Sequence, residues 1–467
     1  MMDLLLELFC EEIPARMQAQ AARDLERMAR ERLATADLAF RSMRSFAGPR
    51  RLTLAVDGLP DAQADRAEER RGPRANAPDK AVEGFLRSTG LTRDQLTERD
   101  GQLYATLHHR GRATSEIVAE MVEAIVRGFP WPKSMRWGAG TLRWVRPLKR
   151  ILCLLDGEVV QVEIETGAGV IAACDLTEGH RFMGRDRAPF AVTGFDDYAE
   201  RLAAHYVVLD PAERRARIAE GAEAVCAARG LEWVRDEGLL DEVVGLAEWP
   251  APILGDMDAG FLDLPAEVIR TSMRVHQRYF AVSDPATGKL APHFVVVANI
   301  EPQDGGAVIA HGNARVLTAR LSDARFFWDQ DRQGDNFGRW AQKLQGVTFH
   351  AKLGTLAERV ERIAALAAEI APLVGADPKL AEAAARLCKA DLASGMVGEF
   401  PELQGIMGGY YVRAHANDAL PLIAGPDGNE DPLATVEQMV GAALAPSVGF
   451  ADSSPGGGAS DATLAAA

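Results

Sequence analysis

Apolar and polar positions along this chain follow two periods, and the change of period organises it. Asp3 to Phe9 is a nearly continuous apolar run, the pattern of a buried strand. After EEIP the apolar positions Met17, Ala21, Leu25, Met28 and Leu33 recur at the helical period. Pro14 near the first turn, with Glu11 and Glu12 just ahead, reads as helix-start chemistry in preference to a catalytic acid pair. SFAGPRRLTLAVDGL then carries Arg50 and Arg51 into an alternating strand that ends at a turn. Residues 61–80 are polar, Arg-rich and interrupted by proline, which predicts an exposed loop whose Arg70, Arg71 and Arg74 are solvated or open to phosphate. A short helix from Lys80 to Leu86, a strand pair near Leu103 to His109, and a helix from Thr114 with Ile117, Met121, Ala124 and Ile125 on one face follow. Ile151 to Leu155 is apolar again.

This order lacks a regular βαβ repeat, so the predicted class is α+β, a mixed sheet with helices packed on it. His180 and Arg181 lie in a glycine-bounded loop, EGHRFMG, where the histidine reads as a structural hydrogen-bonder. Asp210 as N-cap, Pro211, Glu213 and the closing Gly230 mark the clearest helix of the middle chain. Proline-marked turns then lead to a polar and aromatic cluster, His276 to Phe280, flanked by Arg270 and Arg274, and the strand HFVVVANIE ends at Glu301. In GNARVLTARLSDARFFWDQD, Arg315, Arg320 and Arg325 cannot share one helix face, so at least one is expected to pair with Asp323 or Asp329. Beyond Phe337 the pattern is helical, with a capping box at Thr355 and Glu358, a stop at Pro372, and a new start at Asp377 and Pro378. A boundary near 335 follows. Residues 1–335 form the mixed region, with room for two subdomains broken near 190–210, and 336–413 form an all-helical region. Residues 414–467 hold no Lys or Arg and close in PGGGASDATLAAA, a composition expected to be disordered.

Charge changes the picture at one place. The chain has a net charge of -15 and a pI near 5.2, which counts against a simple, sequence-independent nucleic-acid binder. Against that background, residues 131–150 gather six cations (Lys133, Arg136, Arg143, Arg146, Lys149, Arg150) and three tryptophans (Trp131, Trp137, Trp144) without one Asp or Glu. Such a segment suits phosphates and exposed bases, although the tryptophans could equally be core residues and the arginines plain solvated charges. The five cysteines are scattered and never in CxxC spacing, which fits thiols in a reducing cytosol and offers no zinc site. No apolar run is long enough to span a membrane, and the first residues do not resemble a secretory leader. No phosphate-cradling loop, zincin motif or nucleophile elbow is present, and the GAG at 138–140 is too short to count. His350 with Asp391 could seed a metal site of the phosphohydrolase kind, but the doublet position reads Lys389-Ala390-Asp391, and a lysine there is electrostatically wrong for a divalent ion. No catalytic residue, metal ligand or bound cofactor is therefore expected on this chain.

Many segments nevertheless fall in a recognisable order. ELFCEEIPA, FAGPRRLTLAVDGL, KAVEGFLRSTGL, PKSMRWG with VRPL, GHRF, LLDEVVGLAEWPAPILG, LPAEVIRTSMRVHQRYFAV, VVANIE, GNARVLTARLSDARFFWDQD, AKLGTLAERVERI and MVGEFPELQGIMGGYY together resemble the beta subunit of the bacterial heterotetrameric glycyl-tRNA synthetase, over residues 1 to about 413. The resemblance implies an α2β2 assembly in the cytoplasm. In it the alpha subunit, similar to class II synthetases, forms glycyl-adenylate from glycine and ATP with magnesium, and the beta subunit binds tRNA(Gly). It also implies that the helical region is HD-like with its metal ligands lost. Family members continue past Tyr410 and Tyr411 into an anticodon-binding domain that this sequence does not show, so anticodon recognition is expected to be missing. RNA phosphate contact is expected at Arg50, Arg51, Lys133, Arg136, Arg143 and Arg146, with Arg274 and Arg278 next, and neither membrane nor DNA is an expected partner. The alternatives are a structural partner of the alpha subunit without tRNA affinity, or an HD-type phosphohydrolase.

Overall fold

Strand β1 (Met2–Cys10) becomes the centre of a sheet because Leu4 to Cys10 are buried without interruption. Its side chains alternate between two cores. Leu4, Leu6, Leu8 and Cys10 join Met17, Ala21, Leu25, Ala29 and Leu33 of helix α1 (Ala15–Thr35), while Leu5 belongs to a separate core on the other face. The structure, a computed structural model, describes residues 1–414 except 168, 185, 186 and 335 and the side chains of His108 and His109. The expectation for the tail thus lies, from residue 415 on, outside the described residues.

Strands β2 (Ser42–Ala47) and β3 (Arg51–Leu59) extend the sheet on one side of β1. The chain then builds a small module from β4 (Arg66–Arg74), α2 (Asp79–Thr89), β5 (Leu96–Arg99) and β6 (Gln102–His109), with strand order β4-β6-β5. The loop expected over 61–80 is therefore corrected to a strand over 66–74 and to the start of α2 at 79–80. Its polar stretch survives as a strand because Arg66 to Arg71 and Arg74 pair with β6, with a register shift at Gly72 and Pro73, while most of its side chains stay exposed. Helix α3 (Thr114–Gly128) returns to the main core through Ile117, Val118, Met121, Val122, Ile125 and Val126. Strands β7 (Leu148–Leu155), β8 (Glu158–Val159), β9 (Glu163–Glu165) and β10 (Val170–Cys174) complete a seven-stranded sheet, order β2-β3-β1-β7-β10-β9 with β8 also on β7. Only the β7–β10 pair is parallel. A ribbon of β11 (Leu176–Thr177) and β12 (Phe190–Ala191) follows, and α4 (Phe195–Ala204) sets Tyr198 and Leu202 in the core with Leu5. Helix α5 (Pro211–Ala227) starts where read, its Ala212 amide donating to Asp210 Oδ1 at 2.7 Å.

Beyond these come β13 (Glu232–Trp233), α6 (Glu237–Val244), β14 (Ala251–Asp256) and α7 (Ala266–Thr271), which continues into a π-helical turn at Ser272–Gln277. β15 (Phe280–Asp284) and β16 (Lys289–Ala298) close an antiparallel sheet of order β13-β15-β16-β14. The chain ends its described part in α8 (Ala307–Asp331), α9 (Phe337–Lys343), β17 (Thr348–His350), β18 (Gly354–Thr355), α10 (Leu356–Ile370), α11 (Pro378–Leu387), α12 (Gly395–Glu399) and α13 (Ile406–Ala414). The caps at Thr355 with Glu358 and at Asp377 form as read.

The chain divides into two compact units: Met1–Arg217 with Asp241–Pro250, and Ile218–Leu240 with the described residues from Ala251 onward. No break falls at 335. Leu317, Leu321 and Trp328 of α8 share one core with Phe337, Trp340, Met407 and Tyr411. The physical reason is Asp331, whose carboxylate accepts the Gly395 and Met396 amides, both at 2.9 Å, and the Tyr411 hydroxyl at 2.7 Å, stapling the end of α8 to α12 and α13. The α+β class holds as a mixed α/β architecture, but 336–413 is not all-helical, since β17 and β18 pair within it. The arginines of α8 also differ from expectation. Arg320 pairs with Glu399 at 3.6 Å and Arg325 with Asp263 at 3.8 Å, and among the described residues none pairs with Asp323 or Asp329. A cation placed N-terminal to its acid on one helix is the weaker order of such a pair, and partners from other elements win.

Candidate nucleic-acid interface

The segment 131–150 turns its rings inward and its charges outward. Phe129, Trp131 and Trp144 interlock, with ring centroids 4.6 Å (Phe129–Trp131), 5.1 Å (Phe129–Trp144) and 5.1 Å (Trp131–Trp144) apart. Trp144 is fully buried, and Trp131 and Trp137 pack half-buried against the same core. The tryptophans are thus scaffold for the loop, and a short bridge between Met135 and Trp144 (N to O 2.8 Å and 3.2 Å) folds it back on itself.

The six cations separate by partner. Lys149 pairs with Glu11 at 2.5 Å and Arg150 with Glu178 at 2.8 Å, so both are neutralised from outside the segment. Glu11 also receives Arg181 at 2.9 Å, and its carboxyl is held below the usual range by the Lys149 hydrogen bond first. Glu11 and Glu12 therefore anchor cations, Glu12 taking Arg181 at 3.6 Å, and neither caps α1. Lys133 and Arg136 are exposed and make no hydrogen bond or ion pair among the described residues. Arg143 donates only to Ser134 Oγ at 3.1 Å, and half-buried Arg146 to the Val145 carbonyl at 2.8 Å. Among the described residues these four have no carboxylate partner, and they lie on one loop.

Arg50 and Arg51 have a different fate, and the expectation of phosphate contact there is corrected. Arg50 meets Glu248 at 2.7 Å and the Gly179 carbonyl at 2.7 Å. Arg51 meets Glu7 at 3.0 Å, Glu248 at 3.1 Å and the Glu178 carbonyl at 3.0 Å, with 1% of its side chain exposed. Register explains it: Phe9 lies opposite Arg51 and Glu7 opposite Thr53, which sets Glu7 and Arg51 on the same buried face. Tyr198 donates to Glu7 at 2.6 Å and Thr177 donates to it at 2.7 Å. Burial raises the Glu248 carboxyl, yet the Arg51 and Arg50 charges outweigh it and the net direction is down. Burial, with the Glu7 charge, pushes the Tyr198 phenol well up. Nearby Arg214, also buried, donates to the carbonyls of Ala47, Val208, Leu209 and Val244, and burial lowers it to about 10. Guanidiniums buried against Glu7 and Glu248 have no reach for a phosphate, even though Arg51 Nε itself is left without a hydrogen-bond partner. Glu7, Glu248, Tyr198 and Arg214 escaped the sequence reading, and the available signal was Glu7, a single charge inside the apolar run LLLELF.

Arg274 and Arg278 belong to the second unit. Arg274 pairs with Asp236 at 2.8 Å and keeps 30% of its side chain exposed. Arg278 sits at φ 60° at the end of the π-helical turn and donates to the carbonyls of Arg274 and Val275. Both are half-buried. Beside them His276 stacks on Phe400 with ring centroids 5.3 Å apart. His180 acts as read, its Nδ1 accepting the Phe182 and Met183 amides at 3.3 Å and 3.2 Å.

Asp391 is fully buried and its Oδ2 accepts the amides of Gly405 and Gly408, so it anchors the start of α13; burial pushes its carboxyl up. His350 is exposed on β17. A carboxylate committed to backbone amides is poorly placed to ligate a metal with an exposed imidazole, and no group of three potential ligands occurs among the described residues. No described helix is long and apolar enough to cross a membrane.

A family model described as glycyl-tRNA synthetase beta subunit matches residues 4–432. The chain is 66% identical over 421 residues to the glycine--tRNA ligase beta subunit of Phenylobacterium zucineum, covering 90% of this chain and 62% of that protein. It is 53% identical over 462 residues to the protein of that name from Ruegeria sp., covering 95% and 66%, and 55% identical over 421 residues to that of Paracoccus denitrificans, covering 88% and 60%. The chain thus spans less than two thirds of the length of each of these relatives.

Proposed function

This chain belongs to the glycyl-tRNA synthetase beta subunit family, and from that premise we propose that it is the tRNA-handling partner in a cytoplasmic glycine–tRNA ligase. It pairs with an alpha subunit as an α2β2 tetramer. The alpha subunit activates glycine with ATP and magnesium, and this chain binds tRNA(Gly) and binds no nucleotide itself. Descent of its helical part from an HD-like metal domain is part of the same reading.

The observation that carries the RNA reading is the loop 133–146. Its rings hold it to the core, and it presents exposed Lys133, Arg136 and Arg143, with half-buried Arg146 beside them, in a chain of net charge -15. Uncompensated cations held at fixed positions recover their Coulombic cost on a polyanion, and phosphates are the matching groups. Arg274 and Arg278 are second-rank contacts, since each already has protein partners.

Glycylation of tRNA(Gly) by the purified alpha subunit, with and without this chain, tests the reading. Charging only when the chain is present supports it. Co-purification with the alpha subunit but no tRNA retention at low salt overturns the RNA role and leaves a structural partner.

A further inference from the structure

Residues 62–113 form a module closed at its base by the Ala62–Ala113 bridge and by the Gln63 amide donating to the Arg112 carbonyl at 2.9 Å. Helix α2 covers one face of its sheet. On that face Val82, Leu103 and Ala105 are buried, and a Cβ at Gly72 would lie 2.3 Å from the Phe85 ring. Strand alternation turns the next residues the other way. Arg71, Tyr104 and Thr97 stand abreast across β4, β6 and β5, with Tyr104 on the middle strand. Beside them Arg74 and Arg99 both lie opposite Gln102. Arg71, Arg74 and Arg99 are exposed and Tyr104 is half-buried.

We propose that this open sheet face binds a short single-stranded stretch of RNA, with a base stacked on Tyr104 and the adjoining phosphates on Arg71 and Arg74. An aromatic ring on a middle strand between arginines offers what an unpaired nucleotide needs, a flat apolar plane and cations within backbone reach. Charge complementarity favours this occupant. The face carries three arginines and one carboxylate, Glu69, in a strongly acidic chain. Glu69 already holds Arg99 at 2.9 Å, and that pair is exposed and opens at little cost. Arg99 Cζ lies 5.5 Å from the Tyr104 ring centroid, so the ring already accepts a planar cation. A duplex keeps its bases stacked inside and cannot use the ring. The inference deepens the tRNA reading and rests on it only for the source of the RNA.

The test uses the full chain and a fluorescein-labelled single-stranded oligoribonucleotide of about eight nucleotides, with its duplex form as the comparison. Tyr104→Ala is expected to weaken single-strand binding about tenfold, and Tyr104→Phe to leave it within about twofold. The exposed double variant Arg71→Ala/Arg74→Ala, which leaves the packed face intact, is expected to lower the slope of log affinity against log salt by about 1.4. Absence of single-strand binding, equal binding of the duplex, or unchanged affinity and slope in both sets of variants overturns the proposal. Arg136→Ala with Arg143→Ala, measured on whole tRNA in parallel, separates the two readings. Loss there with no effect of Tyr104 sinks this site alone, whereas single-strand binding that depends on Tyr104 without retention of whole tRNA sinks the tRNA reading alone.

Discussion

Arg51 Nη1 lies 3.0 Å from Glu7 Oε2, with 1% of the Arg51 side chain exposed and none of the Glu7 side chain. The pair sits where β1 and β3 of the main sheet lie side by side, and Glu248 closes it from residues 241–250 of the same unit.

Removing one partner strands a buried charge, so Glu7→Ala is expected to cost about 3–5 kcal/mol of unfolding free energy. Urea denaturation followed by circular dichroism measures it. The slope of tRNA affinity against salt stays unchanged for whatever fraction remains folded, because Arg51 contacts carboxylates and not phosphate. A slope that falls with Glu7→Ala would return Arg51 to the RNA interface.

Acid should act through the same network. The Glu248 carboxyl is depressed in the folded chain below its ordinary value of 4.5, burial being outweighed by Arg51 and Arg50. Its contribution is therefore fully present above the unfolded value and is lost as pH falls through the folded one. Unfolding free energy of the wild type is expected to fall more steeply below about pH 4.5 than that of Glu248→Gln, whose titrating group is gone. Parallel acid limbs in the two proteins would contradict the assignment.

Burial makes a separate claim on the thiols. It pushes Cys10 and Cys153 up to about 12 and Cys226 up to about 11, while Cys174 is half-buried. Thiolate is the reactive form, so Ellman's reagent at about pH 8 is expected to modify Cys174 first and to leave Cys10 and Cys153 untouched until denaturant is added. Early labelling of Cys10 would mean that β1 is not the interior strand described.

What the sequence disclosed and what it withheld divide by distance along the chain. The apolar run of β1, the period of α1 and the caps of α10 and α11 are local signals, each complete within a few residues. The roles of Arg50 and Arg51 depend on Glu7, 44 residues from Arg51, and on Glu248, 198 residues from Arg50, and no local pattern joins them. Asp331 likewise binds amides 64 and 65 residues away, which erases the boundary that the helical pattern suggested near 335. Strand β4 was hidden because its polar side chains resemble a solvated loop until β6 is laid beside it. Of the candidate interface, the charges of residues 133–146 were legible and the burial of its tryptophans was not, since a ring that stacks on a base and one that fills a core look alike in one dimension.

Charge at residues 133–146 is expected to be counted by salt. Arg136→Ala and Arg143→Ala should each lower the tRNA salt slope by about one unit, and Arg150→Ala, whose cation already serves Glu178, should not. Filter binding over a salt series reads the difference. Equal effects at Arg136 and Arg150 would show that bulk charge, and not placement, governs binding.

Placement itself depends on Gly140. The Ala139 amide reaches the Gly167 carbonyl at 3.2 Å, and a Cβ on Gly140 would lie 2.1 Å from the Thr166 carbonyl oxygen and 2.5 Å from the Gly167 Cα. Two backbones in contact leave no side chain to yield, so Gly140→Ala must push the cationic loop off the turn that follows β9, at a local cost of about 1–3 kcal/mol. The substitution removes no charge. If the loop binds phosphate because its cations are held in place, Gly140→Ala is expected to weaken tRNA binding several-fold, to roughly the level of one lost cation, with the salt slope reduced and the main core unmelted. Filter binding beside a thermal melt checks this pair of outcomes. Undiminished affinity with the loop displaced, seen as increased cleavage by trypsin after Arg136 or Arg143, would show that the cations need no fixed geometry to do their work.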